Sequence, residues 1–301
     1  MSVSRPLVVG TVYVSEEVVR EVCSSARLLS TFEDAAYGRS SYCFGGAPQD
    51  VQKAVVSVAR NAFERLDMRT HRGSHPTLGV VDHVSVFPLG TTPMVDAVET
   101  ARAIGADLAS QVPILFYGKI NDRSLAETRR QTSYFSPGKD ISLQVEADLN
   151  GPQTDKLGVC LVGATQHVLN YNVEVSGDIK AARRIAKAIR AKDGGLPGVE
   201  ALALPKLQQD NNGENSFEIA CNLLDVDRSP PSAVLAEITA AANTEHITVL
   251  RDYVIGPTKH QMLQDLLQDS RLLHDAQKTN DHDFLPGSSR GQQDAKKQPP
   301  S

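Results

Sequence analysis

LDMRTHRGSHPTLGVVDHVSVFPLG, residues 66–90, sets two histidines and an arginine, His71, Arg72 and His75, between two regular elements. It begins where a helical pattern runs out and ends in an alternating run that reads as a strand over 80–87. Between the two, Gly73 and Pro76 bracket His75, so that neither helix nor sheet can absorb it. A titratable imidazole on a short constrained loop is a candidate general base, although a lone loop histidine is more often structural.

Upstream, Val51, Ala54, Val55, Val58, Ala59, Ala62, Phe63 and Leu66 recur at three- and four-residue steps and predict a helix over 50–66 that delivers the histidine loop. Before it come a valine-rich strand over 6–14, a helix over 16–26 capped by Ser15, and strands over 28–32 and 40–44 joined by a polar turn holding Asp34 and Arg39. Downstream, a helix over 92–109 and a strand over 112–117 lead into a charge run, 119–137, whose pattern is that of a solvated face. The aperiodic stretch 138–158, with Gly151-Pro152, marks the expected boundary between a first subdomain, 1–150, and a second, 151–275.

The second half predicts a strand through 159–175, a helix over 179–192 and a hairpin of 199–204 with 216–224. A helix over 232–242, a strand over 247–255 and a last helix from Thr258 to about 273 follow. Each half thus reads strand, helix, strand, strand, helix, strand. The expected fold is α/β (α+β): two ferredoxin-like subdomains with mixed sheets facing each other and helices outside. Leu169, Tyr171, Val173 and Val175 alternate with Asn170, Asn172 and Glu174, so a polar strand face is available to line a cleft or to meet water. Residues 276–301 are polar and rich in Gly, Pro, Ser and Gln, the composition of a disordered tail.

A net charge of −5 over 301 residues leaves no basic footprint for nucleic acid or an anionic membrane, and a small-molecule partner fits better. No apolar run reaches the roughly 20 residues of a membrane helix, and the opening residues lack a signal-peptide layout, so a soluble, cytoplasmic protein is expected. Cys23, Cys43, Cys160 and Cys221 form no paired motif and read as buried free thiols. His71, His75 and His83 offer no metal set: Gly73 and Pro76 spoil helical spacing, and Asp82 and His83 are expected on opposite strand faces.

The segment 66–82 resembles the hallmark of the formiminotransferase domain of formiminotransferase-cyclodeaminases, D-M-x-x-H-K-G-x-H-P-x-x-G-x-x-D. Asp34-Ala35 followed by Arg39 and Tyr42, Gly151-Pro152, Gly163-Ala164, Tyr171-Asn172 and Asn222-Leu223-Leu224-Asp225 extend the likeness across about residues 6–270. The resemblance implies transfer of a formimino group from N-formiminoglutamate to N5 of tetrahydrofolate as co-substrate, with no metal. It also implies a substrate tunnel between the subdomains, a homodimer, and His75 as catalytic base. It places folate contacts on Gly151, Pro152, Gln153, Thr154, Asp155, Lys156, Leu157 and Gly158, and further polar contacts on Asp34, Arg39 and Asn172. The family's first strand ends in P-N-F-S-E-G where this chain has VYVSEE, residues 12–17. Ser74 and Thr77 stand where the family carries an acidic and a basic residue. The likeness stops short of the helical cyclodeaminase part, so cyclodeamination is not expected. Two other classes stay open on the sequence: a non-catalytic folate-binding or regulatory protein, and a structural dimerisation module.

Overall fold

Apolar alternation in the strands and helix-period stripes sort this chain into two separate sheets. In a computed structural model the described residues are 6–15, 26–35, 37–73, 75–132, 146–209 and 215–268. The elements run β1 (Leu7–Val14), β2 (Arg27–Asp34), β3 (Arg39–Gly46), α1 (Pro48–Arg65), β4 (Val81–Leu89), α2 (Met94–Leu108), β5 (Ile114–Gly118), α3 (Leu125–Arg130) and β6 (Cys160–Ala164). They continue as β7 (Leu169–Ser176), α4 (Ile179–Ile189), β8 (Val199–Gln209), β9 (Asn215–Leu223), α5 (Pro231–Thr244), β10 (Thr248–Ile255) and α6 (Lys259–Leu267). The helix expected over 16–26, Cys23, Ser74 and the tail 276–301 fall wholly or mostly outside the described residues.

The first sheet has six strands in the order β2-β3-β1-β4-β6-β5, and the second has four in the order β10-β7-β9-β8. Counted within each half, β4-β1-β3-β2 and β10-β7-β9-β8 are the same antiparallel arrangement, the ferredoxin-like unit expected from the sequence. The first unit is extended by β6 and β5, parallel to β4.

β6 departs from the sequence reading. The residues 159–175 are not one strand of the second half: Cys160–Ala164 lies between β4 and β5, and the chain passes to the second sheet between Ala164 and Leu169. The physical reason is visible in the residues. CLVGA is apolar throughout, as an interior parallel strand buried on both faces must be, whereas β7 alternates apolar with polar residues.

Val51, Val55, Ala59 and Ala62 of α1 pack with Ala97, Ala101, Ile104 and Leu108 of α2 over the outer face of the first sheet. Each fully buried valine or leucine there contributes about 1.5–3 kcal/mol. Gly10 permits the close approach of α1, since a Cβ at that position would stand 2.7 Å from Cγ1 of Val51. Helices α4 and α5 cover the second sheet through Leu169, Tyr171, Val173 and Val175 of β7. Helix α6 lies on the other face of the first sheet, where Met262 and Leu266 meet Val9, Cys43 and Phe87 and so tie the two halves together. No helix among the described residues is long and apolar enough to cross a membrane.

Candidate functional site

The alternation that buries Leu169 and Tyr171 under the helices turns Asn170 and Asn172 the other way, into a cavity of about 690 Å³ between the inner faces of the two sheets. Tyr13 of β1, Arg39 of β3 and His83 of β4 line it from the first sheet, with Arg129 of α3 beside them; β8 and β9 supply the opposite wall. His75 stands on the same wall as Arg39. The polar face of β7 therefore lines a cleft.

His75 is held on three sides. Its backbone N–H donates to the Tyr37 carbonyl at 3.4 Å, and its ring meets the Tyr37 ring edge-on at 5.7 Å. Nδ1 lies 2.7 Å from the Pro76 carbonyl and 2.8 Å from Nη1 of Arg39. One nitrogen cannot donate to the carbonyl and accept from the guanidinium at once. Arg39 has Asp82 as an acceptor of its own through Nη2, so we assign the proton of His75 to Nδ1, facing Pro76, which leaves the lone pair on Nε2. Burial and the positive charge of Arg39 lower the His75 pKa to about 3, so the imidazole is neutral at physiological pH.

Asp82 lies beneath His75. It is 1% exposed, and Oδ2 accepts from Arg39 Nη2 at 2.9 Å and Arg129 Nη2 at 2.8 Å while Oδ1 accepts from the Leu78 N–H at 3.1 Å. Burial alone would raise its pKa; the guanidinium of Arg129 and then that of Arg39 reverse the sign and hold it well below the usual carboxylate range. His83 Nδ1 is 3.0 Å from Asp82 Oδ2, and its ring stacks on Tyr13 at 4.0 Å. The expectation that Asp82 and His83 point to opposite faces is thus overturned. β1 and β4 slip register here, pairing Tyr13 with His83 but Val14 with Val81; the bulge leaves Asp82 as the extra residue and turns it toward its neighbour. Burial is again the larger influence on His83 and lowers its pKa to about 4.

Arg129 also corrects the sequence reading, because the charge run is not a uniformly solvated face. A capping box of Ser124 and Glu127 starts α3, and Arg129 then points inward with its side chain 13% exposed. Of the residues expected to touch ligand, Arg39, His75 and Asn172 come together on the cavity wall. Asp34 does not line it; its carboxylate accepts the Tyr37 N–H at 3.0 Å and caps the β2–β3 turn. None of Gly151, Pro152, Gln153, Thr154, Asp155, Lys156, Leu157 and Gly158 lines it either. That segment packs behind the histidine loop, where the Lys156 carbonyl accepts from the Met68 N–H at 2.9 Å and Gly158 bridges to Gly79. Thr77, in place of the family's basic residue, turns inward to Ser15 Oγ at 2.7 Å.

Residues missed by the sequence reading complete the constellation: Tyr13, Tyr37, Arg129 and Glu218. Glu218 alone left a readable signal, since Glu218, Ala220 and Asn222 alternate with Phe217, Ile219 and Cys221 as Asn172 and Glu174 do with Val173 and Val175. Among the described residues no His, Cys, Asp or Glu group is arranged to hold a metal ion.

Two ferredoxin-like units enclosing a preformed cavity, with a neutral histidine over a buried Arg–Asp–Arg cluster, define the class: a two-subdomain α/β protein with an internal ligand cleft. The pattern of the formiminotransferase domain, N-terminal subdomain, matches residues 11–165, ending just after β6. The chain is 33% identical over 272 residues to the formiminotransferase cyclodeaminase-like protein of Arabidopsis thaliana, covering 81% of this chain and 89% of that one. It is 26% identical over 251 residues to the glutamate formimidoyltransferase of Thermoplasma acidophilum, covering 80% and 81%. Its match to the formimidoyltransferase-cyclodeaminase of Gallus gallus, at 28% identity, covers 79% of this chain and 46% of the other. The chain belongs to the formiminotransferase family.

Proposed function

We propose that this protein transfers a formimino group from N-formiminoglutamate to N5 of tetrahydrofolate, with His75 carrying the proton. The observation that supports it most is the placement of His75: on the wall of the cavity beside Arg39, with Nδ1 turned to the Pro76 carbonyl, so that Nε2 is the ring nitrogen left to accept. The cavity suits a folate. Its volume is in the range of about 300–1,000 Å³ typical of small-molecule sites. Tyr13 offers aromatic surface for a pterin, Asn172 and Arg39 offer donors, and the exposed Arg130 and Lys192 offer positive charge for glutamyl carboxylates.

Tetrahydrofolate supplies the accepting nitrogen, N5. As N5 bonds to the amidine carbon, Nε2 of His75 takes its proton; as the bond from that carbon to the glutamate nitrogen breaks, the same imidazole returns a proton to the leaving amine. Arg39 and Arg129, neutralised in part by Asp82, bring positive charge to this wall and favour an anionic donor. The homodimer implied by the resemblance belongs to the same reading and is measured by light scattering.

The placement of 151–158 away from the cavity favours one competing reading, a folate-binding protein of this fold without turnover. Formimino transfer by the natural chain and by His75→Ala, followed beside thermal melting with tetrahydrofolate, separates the two. Turnover in the natural chain that drops by about 10²-fold or more in His75→Ala, with folate stabilisation kept in both, is the expected result. Stabilisation without turnover in the natural chain selects the binding protein, and absence of both overturns the folate assignment.

A further inference from the structure

The residue that reaches Tyr37, the neighbour of His75, from the second subdomain is a buried acid that does not line the cavity. Glu218, on β9, is 0% exposed. Its Oε1 accepts from the Tyr37 phenol at 2.7 Å and from Asn172 Nδ2 at 2.7 Å. Its Oε2 accepts from the Tyr253 phenol and lies 3.4 Å from Lys206 Nζ. Both oxygens are thus occupied by donors of the protein itself, and the carboxylate is satisfied without a ligand.

What Glu218 holds is the support of the histidine loop. Tyr37 lies in the β2–β3 turn of the first subdomain, and it contacts His75 both through its carbonyl and through its ring. Turn and loop are packed backbone to backbone. A Cβ on Gly73 would stand 2.1 Å from the Tyr37 carbonyl oxygen, and one on Gly38 would stand 2.8 Å from Cα of Gly73. Gly38 also has φ +59, which glycine adopts without strain. A displacement of Tyr37 is therefore passed directly to the loop. Tyr37 needs an acceptor, because its ring and hydroxyl are buried with it, and Glu218 is that acceptor.

Retaining a carboxylate here is not explained by sheet pairing. Glu218 stands directly across from Glu174 of β7, a like-charge pair that opposes stability, and Lys206 lies between them at 3.4 Å from each. We propose that Glu218 is a positioning residue: acting through Tyr37, it fixes from the opposite subdomain the loop that carries His75. Through the second bond, to Asn172, it orients a cavity-wall amide as well. The proposal rests on the reading of His75 as the proton carrier.

The test is a double-mutant cycle on the full chain with Tyr37→Phe, Glu218→Gln and both together, read by formimino transfer and by the imidazole nitrogen resonances of His75, assigned by their loss in His75→Ala. Tyr37→Phe keeps the ring and removes only the hydroxyl. Each single change should lower kcat by about 10-fold, with the KM of Tyr37→Phe for tetrahydrofolate within about 2-fold of natural, and the double variant should be no worse than the poorer single. The His75 resonances should shift in both single variants, with the titration midpoint moving up from about 3 as the ring gains water. Additive losses in kcat, or His75 signals unchanged in Tyr37→Phe, overturn the proposal. If the natural chain shows no transfer, the functional reading fails, and the resonances alone decide the positioning role. If Glu218→Gln does not fold, Tyr37→Phe decides it by the same two readouts.

Discussion

Nη2 of Arg39 lies 2.9 Å from Oδ2 of Asp82, with the side chains 10% and 1% exposed, and this pair forms the floor under His75. Arg129 reaches the same oxygen at 2.8 Å, so one carboxylate keeps two guanidinium groups together. Replacing Asp82 by Ala leaves both cations buried and facing each other, a loss expected to be about 3–5 kcal/mol. Asp82→Asn keeps the volume and an acceptor for the Leu78 N–H and should lose less. Urea unfolding with an unchanged m-value measures both. A loss below about 1 kcal/mol for Asp82→Ala would place the cluster among solvent-screened surface pairs and contradict this account.

Three histidines are held neutral by the fold, each chiefly by burial: His75 at about 3, His83 at about 4 and His167 at about 4. In the unfolded chain each takes a proton near about 6.5. Between that value and about 4 the unfolded state binds more protons than the native one, so stability rises with pH by about 1.4 kcal/mol per pH unit per histidine. Asp82 acts in a separate window: its depressed pKa contributes stability that is present above the ordinary carboxylate value and lost below it. Urea titrations from pH 7.5 to 4.5 should show the histidine slope. His167→Phe, outside the cavity and edge-on to Phe87 at 5.0 Å, should reduce it by about one histidine's share. A flat profile over this range would contradict the neutral assignments.

Much of this fold is written in local pattern. The helical stripe of α1, the alternation in β7 and the Gly–Pro bracket around His75 each depend on neighbours within a few residues, and each lies where the sequence implied. The polar face shared by Asn170 and Asn172 was legible for the same reason, but alternation alone left open whether it met a facing sheet or water, and the cavity decides that. What escaped depends on distant partners. The bulge that joins Asp82 to His83 arises from the register of β1 against β4, which neither strand encodes alone. Arg129 sits among charges that reach water, and its partner Asp82, which turns it inward, lies 47 residues earlier. Tyr37 and Glu218 are 181 residues apart, and nothing local to either names the other.

Gly73 tests the backbone fit that sets the histidine loop. The carbonyl oxygen 2.1 Å from its would-be Cβ belongs to the Tyr37 main chain and cannot rotate aside, so Gly73→Ala must displace the loop. The core clusters lie elsewhere, so the melting temperature should fall by only a few degrees, about 1–3 kcal/mol of stability, while turnover is lost more severely. Steady-state kinetics beside thermal melting measures the contrast. Natural turnover in Gly73→Ala would show that the loop tolerates displacement and that His75 does not need this placement.

The thiols give a test of the two cores that does not depend on any function. Cys43, Cys160 and Cys221 are free and buried in three different clusters: with α6, in the main first core, and in the second core. Burial raises all three pKa values, that of Cys221 to about 12, so almost no thiolate exists at neutral pH. A water-soluble disulfide reagent should leave these three unmodified in the native chain and label them in urea, with peptide mass mapping to separate the sites. Because Cys43 faces α6 while Cys160 lies between parallel strands, the order of labelling through the transition reports which part opens first. α6 rests on a small cluster, Val9, Cys43, Phe87 and Leu89 with Leu7 and Leu29 at its edge, apart from the main core that holds Cys160, so Cys43 should label at lower urea than Cys160. Simultaneous labelling of all three would mean that both sheets and α6 unfold as one cooperative unit.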